Sequence, residues 1–143
     1  MATKIFVNLP VKDLNRSVEF FTILGYKFNP QFTNENATCM IIGDNIFVML
    51  LVEKFFKTFI PTEIADAKKS TESIICLSSN SREEVDEYIK KAVKAGGKTY
   101  KEAQDEGFMY SHSFQDLDGH FWETMYMDMS AFPQTPNAEA VIR

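Results

Sequence analysis

The sequence predicts an α+β fold built from two β-α-β-β-β modules in tandem. Three observations predict it. Each half of the 143-residue chain holds one amphipathic helical stretch followed by three closely spaced β-rich runs. Asp44-Asn45-Ile46-Phe47-Val48-Met49 matches Asp118-Gly119-His120-Phe121-Trp122-Glu123 position by position, with turn chemistry opening both stretches. A parallel doubly wound sheet is disfavoured, because one helix per half cannot supply the crossovers that parallel strands need.

The elements follow in order. Lys4 to Val11 is β-rich and alternates poorly, which predicts a largely buried strand; Pro10 marks a strand terminus or a sheet edge. Asp13 is the expected N-cap of a helix whose apolar stripe is Val18, Phe20, Phe21 and Leu24, with Gly25 as its stop. Strands are predicted over Tyr26 to Phe32, Ala37 to Ile42 and Asn45 to Val52. Glu72 to Ser78 is the next strand. Ser81 and Glu84 form a capping box for a helix with Val85, Tyr88, Ile89, Ala92 and Val93 on its apolar face, ended by Gly96-Gly97. Lys98 to Lys101, Phe108 to Gln115 and His120 to Met127 complete the second set. One domain therefore covers 1–128, as module 1 (about 4–52), a linker or lid (53–71) and module 2 (about 72–128), with a C-terminal tail over 129–143. That tail, with Pro133 and Pro136 and little periodicity, is expected to be poorly ordered. Phe55, Phe56 and Phe59 in the linker either cap the core or form a lid or a subunit contact.

Composition narrows the function classes. Hydrophobic content of 45% with 24% charged residues fits an ordinary globular protein. A net charge of −5 argues against nucleic acid or an anionic membrane surface as the main partner. No signal-peptide pattern and no apolar run of membrane-spanning length is seen, so a cytoplasmic location is expected. Cys39 and Cys76 lie in apolar strand-like runs and are read as buried thiols rather than a disulfide.

The stretch from Gln115 to Met125 carries the chemistry. Gly119 supplies the positive φ of a tight turn, and Asp116 and Asp118 can bond their own backbone. Period two then sets Phe121, Glu123 and Met125 on one strand face and His120, Trp122 and Thr124 on the other. Glu123 is either a buried functional acid or an ordinary exposed strand glutamate, and periodicity does not say which. His112 and His120 fall on the face opposite Glu123. Cys76 has no basic neighbour to activate it. No Ser-His-Asp arrangement, phosphate loop or Cys/His metal spacing is present.

Two such modules ending in Asp-x-Asp-Gly-His-x-x-Glu resemble the vicinal oxygen chelate superfamily, which includes glyoxalase I, extradiol dioxygenases, fosfomycin-resistance enzymes and bleomycin-resistance proteins. The opening Val11-Lys12-Asp13-Leu14-Asn15-Arg16-Ser17-Val18-Glu19-Phe20-Phe21 is similar to the family's Val-x-Asp-Leu-x-x-Ser-x-x-Phe-Tyr segment. The resemblance covers roughly residues 4 to 128. It implies that each module rolls its sheet into a half-barrel, that the pair cups a cavity, and that the protein is a homodimer. Metal-dependent members take ligands from the first and last strands of each module. Those places fall here near Phe6, Met49, Ile74 and Glu123, of which only Glu123 suits a hard or borderline metal. The expectation is therefore no cofactor, with a divalent metal disfavoured by the loss of ligand residues.

Strand parity, on that resemblance, faces Phe6, Asn8 and Pro10 into the cavity, then Phe47, Met49 and Leu51. The second half contributes Ile74, Cys76 and Ser78, with Met109, Ser111 and Ser113, and Phe121, Glu123 and Met125. These either line a small-molecule pocket or fill the half-barrel as core. Two readings from different classes follow. One is a metal-independent binder of a flat or aromatic organic molecule. The other is an enzyme (a glyoxalase-like lyase, an isomerase or a dioxygenase) with altered ligands or with Glu123 as acid or base. A dimer that has lost its ligand is a third.

Overall fold

The computed structural model describes residues 2–131, and the tail from 132 onward lies outside the described residues. In chain order the elements are β1 (Ile5–Val11), α1 (Leu14–Ile23), β2 (Lys27–Asn29), β3 (Ala37–Gly43), β4 (Ile46–Val52), α2 (Glu53–Lys57), β5 (Ile74–Ser78), α3 (Arg82–Lys94), β6 (Gln104–Asp105), β7 (Met109–Gln115) and β8 (Phe121–Met127). They form two four-stranded sheets, ordered β1-β4-β3-β2 and β5-β8-β7-β6, and neither closes into a barrel. In each sheet the first and last strands of the module pair in parallel and the other neighbours pair antiparallel. The repeat read in the sequence is thus a repeat of topology. Phe6 pairs with Phe47 where Ile74 pairs with Phe121, and Asn8 pairs with Met49 where Cys76 pairs with Glu123.

Local chemistry explains the helix ends. The Asp13 carboxylate accepts the Arg16 N–H at 3.2 Å, and Gly25 takes φ +107° just past α1. Ser81 Oγ accepts the Glu84 N–H at 3.1 Å. The Glu84 carboxylate, however, takes the Asn80 N–H at 2.6 Å, one residue before the position that a capping box uses. Pro10 costs the ladder nothing because β1 is an edge strand.

Three strand expectations are corrected. The run Tyr26 to Phe32 is strand only over Lys27–Asn29, and Pro30–Phe32 turns as a 3-10 helix. Pro30 has no N–H for a ladder, and the Asn29 side chain caps the turn by accepting from Gln31 N at 2.9 Å. Lys98 to Lys101 is no strand. Lys98 makes a single bridge to Gln115, and pairing resumes only at Gln104–Asp105, beside the tight turn at Gly107 (φ +83°). The strand expected from Glu72 starts at Ile74. Cys76 also departs from expectation: it is exposed, while Cys39 is buried, and neither joins a disulfide.

One core serves both modules. Leu9, Val11, Phe20, Phe21, Met40, Val48 and Leu50 of the first cluster with Ile89, Ala92, Phe114 and Trp122 of the second. Phe21 meets Trp122 at 5.1 Å between ring centroids, and Phe20 meets Phe114 at 6.0 Å. Aromatic residues of α1 therefore pack on strands of the other module. Tyr26 and Tyr88 hydrogen-bond across the same seam at 2.7 Å, and burial holds both phenols above their ordinary pKa.

The Asp116–His120 turn joins the halves. Asp116 Oδ1 accepts the N–H groups of Asp118 and His120, each at 3.0 Å, and Oδ2 accepts Trp122 Nε1–H at 2.9 Å. Asp118 does not bond its own turn as expected. Its carboxylate reaches module 1, accepting Lys12 N–H at 2.9 Å and Ser17 Oγ–H at 3.4 Å. Asp116 is 8% exposed. Burial raises its carboxyl above the ordinary range, against the pull of His120, Trp122 and the two backbone donors.

Asp116→Asn keeps an acceptor for the backbone but turns an amide donor towards the indole N–H. Urea unfolding followed by Trp122 fluorescence should show a loss of about 1–3 kcal/mol, the cost of a buried group left without its partner.

Candidate functional site

The strand face turned away from the shared core carries the predicted residues. On the first sheet Phe6 and Phe47 stack at 4.9 Å with an interplanar angle of 14°, and Asn8 stands beside Met49. On the second sheet one row runs Cys76, Glu123, Ser113 across β5, β8 and β7, and the next runs Ser78, Met125, Ser111. Exposure along this face is uneven. Phe6 and Ile74 are 48% and 53% exposed, whereas Glu123, Ser111 and Ser113 are at most 4% exposed.

A cavity of about 330 Å³ opens where this face meets the linker. Asn8 and Pro10 of β1 form one wall, and Gly119, His120 and Phe121 at the head of β8 form another. Phe56, Ile60, Thr62, Ile64 and the stretch Ser70 to Ser73 roof it. Of the predicted site residues the cavity gathers Asn8, Pro10 and Phe121. Phe6, Phe47, Met49, Ile74, Ser111, Ser113, Glu123 and Met125 lie on the same strand faces but do not line it. Its ionisable lining is Glu63, Glu72 and His120, with no lysine or arginine among the described residues. A second cavity of about 160 Å³ adjoins it at Pro10, Ile64, Ala65, Ala67 and His120, and adds Glu53, Asp66, Asp118 and Lys12.

His120 is the site residue that strand parity missed. It precedes β8, so strand alternation does not govern it. Its Nε2–H donates to the Pro10 carbonyl at 2.7 Å, which ties the turn of module 2 to the edge strand of module 1. The signal available in the sequence was its place directly after Gly119, where a turn sets direction. His112 keeps its expected face, pairing with Thr124 in register, and its Nε2 bonds the Lys101 carbonyl at 2.9 Å.

The linker is seated on the turn through a glycine. Gly119 takes φ +93°, and a Cβ there would stand 2.7 Å from Lys68 Cγ and 3.0 Å from Lys68 N. Of the linker aromatics, Phe56 faces the cavity, while Phe59 is 66% exposed and packs edge-on against Phe55 at 5.1 Å.

The residues do not fit a catalytic divalent metal at the places the resemblance implies. Only Glu123 offers a hard donor there, and among the described residues no group of three or more His, Cys, Asp or Glu side chains is placed to hold an ion. No helix among the described residues is long and apolar enough to cross a membrane.

Comparison with known proteins is consistent with this geometry. The bleomycin resistance protein-like N-terminal family matches residues 3–43. A hypothetical protein from S. aureus is 31% identical, with 88% of this chain and 95% of that one covered and a TM-score of 0.75. A glyoxalase/bleomycin resistance protein/dioxygenase family enzyme from Burkholderia phytofirmans is 13% identical over 88% of this chain and 99% of that one, TM-score 0.73. A fosfomycin resistance protein from Listeria monocytogenes is 20% identical over 92% and 98% of the two chains, TM-score 0.64. No curated protein matches the sequence.

Gly119→Ala should be costly on two counts, the left-handed backbone and the collision with Lys68. The expected loss is about 1–3 kcal/mol, accompanied by faster limited proteolysis between Ala65 and Ser73 as the linker lifts.

Proposed function

The chain belongs to the vicinal oxygen chelate superfamily of glyoxalases, bleomycin resistance proteins and dioxygenases, and on that premise we propose that it binds a small organic molecule on the inner sheet face without a catalytic divalent metal. The observation that carries the reading is Glu123. A carboxyl group only 4% exposed sits in mid-strand between Phe121 and Met125, two residues beyond the phenylalanine that lines the linker cavity. Aromatic walls with a few polar points are what small-molecule sites are made of.

The lining also bears on the ligand. With Glu63 and Glu72 at the cavity and no lysine or arginine among the described residues that line it, an anionic molecule is repelled and a neutral or cationic one accepted. Phe6, Phe47 and Phe121 offer faces for a flat ring, and Asn8, Ser111 and Ser113 are polar points of the same strand faces. If a reaction is catalysed, Glu123 is the group placed to take or give the proton. We infer further that two copies pair as a homodimer, since Ile5 and Ile46, paired across β1 and β4, leave apolar side chains 53% and 44% exposed.

Metal analysis of the purified protein should find no stoichiometric Zn, Ni, Mn or Fe. Thermal melts with indole, tryptamine and indole-3-acetate, alike in ring and different in charge, test the site. Indole and tryptamine should raise the midpoint by mass action on the folded state, and indole-3-acetate should raise it less. Glu123→Gln should keep the fold and weaken tryptamine binding by about tenfold or more, roughly the worth of one charged contact. A bound stoichiometric metal, or Glu123→Gln binding tryptamine like the parent, overturns the proposal.

A further inference from the structure

The strand face alone does not bury Glu123. Its neighbour Cys76 on β5 is exposed, and Ile74 on the same face is 53% exposed. At the equivalent place in module 1, Met49 is half-buried. Yet Glu123 and its cross-strand partner Ser113 are 4% and 1% exposed. A side chain from outside the sheet must cross this row.

Tyr100 is placed to do so. Its hydroxyl donates to Ser113 Oγ at 3.0 Å, and its ring meets Phe121 edge-on at 4.9 Å and 88°. Ser113 stands directly across from Glu123, and Phe121 is two residues before Glu123 on the same face. A side chain whose ring meets Phe121 and whose hydroxyl reaches Ser113 runs from β8 to β7 alongside the row that holds Glu123. The backbone carrying Tyr100 is fastened on either side. Lys98 and Gln115 exchange hydrogen bonds of 3.0 and 2.7 Å, and the Lys101 carbonyl accepts from His112 Nε2. Tyr100 itself is 47% exposed. Its side chain can therefore swing outward by rotation about its own bonds, breaking the Ser113 hydrogen bond, the Phe121 ring contact and the approach of Lys101 Nζ, 6.0 Å from the ring centroid, while the backbone stays in place.

We propose that Tyr100 is a displaceable cover over Glu123 and so determines which molecules reach it. The inference rests on the reading of Glu123 as the group a ligand meets. A molecule that takes the place of Tyr100 must replace its contacts with Phe121 and Ser113. It needs an aromatic edge for Phe121 and a hydrogen-bond donor for Ser113 or the Glu123 carboxyl group. The class that fits is a planar ring, neutral or cationic, with an N–H or O–H at its rim. An aliphatic chain lacks the first, and a ring without an N–H or O–H lacks the second.

The cover is tested without any ligand by the accessibility of the place it hides. In a Cys76→Ser background, which removes the exposed thiol, Glu123→Cys reports on the covered position by its rate of labelling with iodoacetamide. Tyr100→Ala added to that protein should speed labelling by about tenfold or more, and Tyr100→Phe, which keeps the ring and loses the hydroxyl, should give a smaller increase. Ser113→Cys in the same background is a gentler change and carries the same comparison if Glu123→Cys does not fold. Labelling within about twofold of the parent after Tyr100→Ala overturns the proposal, because a ring whose removal exposes nothing was not covering the row. Failure of indole and tryptamine to bind counts against the ligand reading alone, since the labelling comparison uses no ligand.

Discussion

A single turn holds the two modules in register. Asp116 is buried and spends both oxygens inside the protein, one on the backbone of the turn and one on the Trp122 indole. Asp118, two residues on, turns the other way and grips the N-terminal end of α1 through Lys12 and Ser17. His120 then reaches the Pro10 carbonyl. Three alternating side chains of one turn thus bind the core of module 2, the first helix of module 1 and the edge strand of module 1. A carboxylate accepts several hydrogen bonds and donates none, which suits it to gathering backbone N–H groups that the fold would otherwise leave unpaired.

That arrangement has a consequence for the sheet faces. Trp122 belongs to the strand that also carries Glu123, and adjacent residues of a strand point to opposite faces. Seating the indole in the shared core against Phe21 and Phe114 forces Glu123 onto the inner face. The hydrophobic demand of one residue therefore fixes the orientation of its neighbour, and slipping the register by one would bury the carboxyl among the core aromatics at prohibitive cost. The same logic places Phe121 at the cavity and leaves His120, which lies before the strand, to be aimed by the turn.

The two modules share topology and differ in what their inner faces hold. Module 1 presents an exposed Phe6–Phe47 stack; module 2 presents a carboxyl group between hydroxyl and sulfur-bearing neighbours, crossed by Tyr100. Duplicated architecture thus carries unlike inner faces. The linker brings Phe56 and a run of hydroxyl residues over the junction of Asn8, Pro10 and Phe121, seated on the turn at Gly119.

Much of this was legible in the residues themselves. The paired turns at Asp44 and Asp118, the Asp13 and Ser81 caps and the alternation after Gly119 determined two like modules, their helices and the side of β8 on which Glu123 stands. These signals are local, so they survive without knowledge of distant contacts. Other features depended on partners far along the chain. Asp118 finds Lys12, His120 finds Pro10, and Tyr100 finds Ser113 across a segment that periodicity read as a strand. Only the tertiary structure decided those, because a side chain's partner is set by which surfaces the packed sheets bring together, and spacing along a sequence carries no record of that meeting.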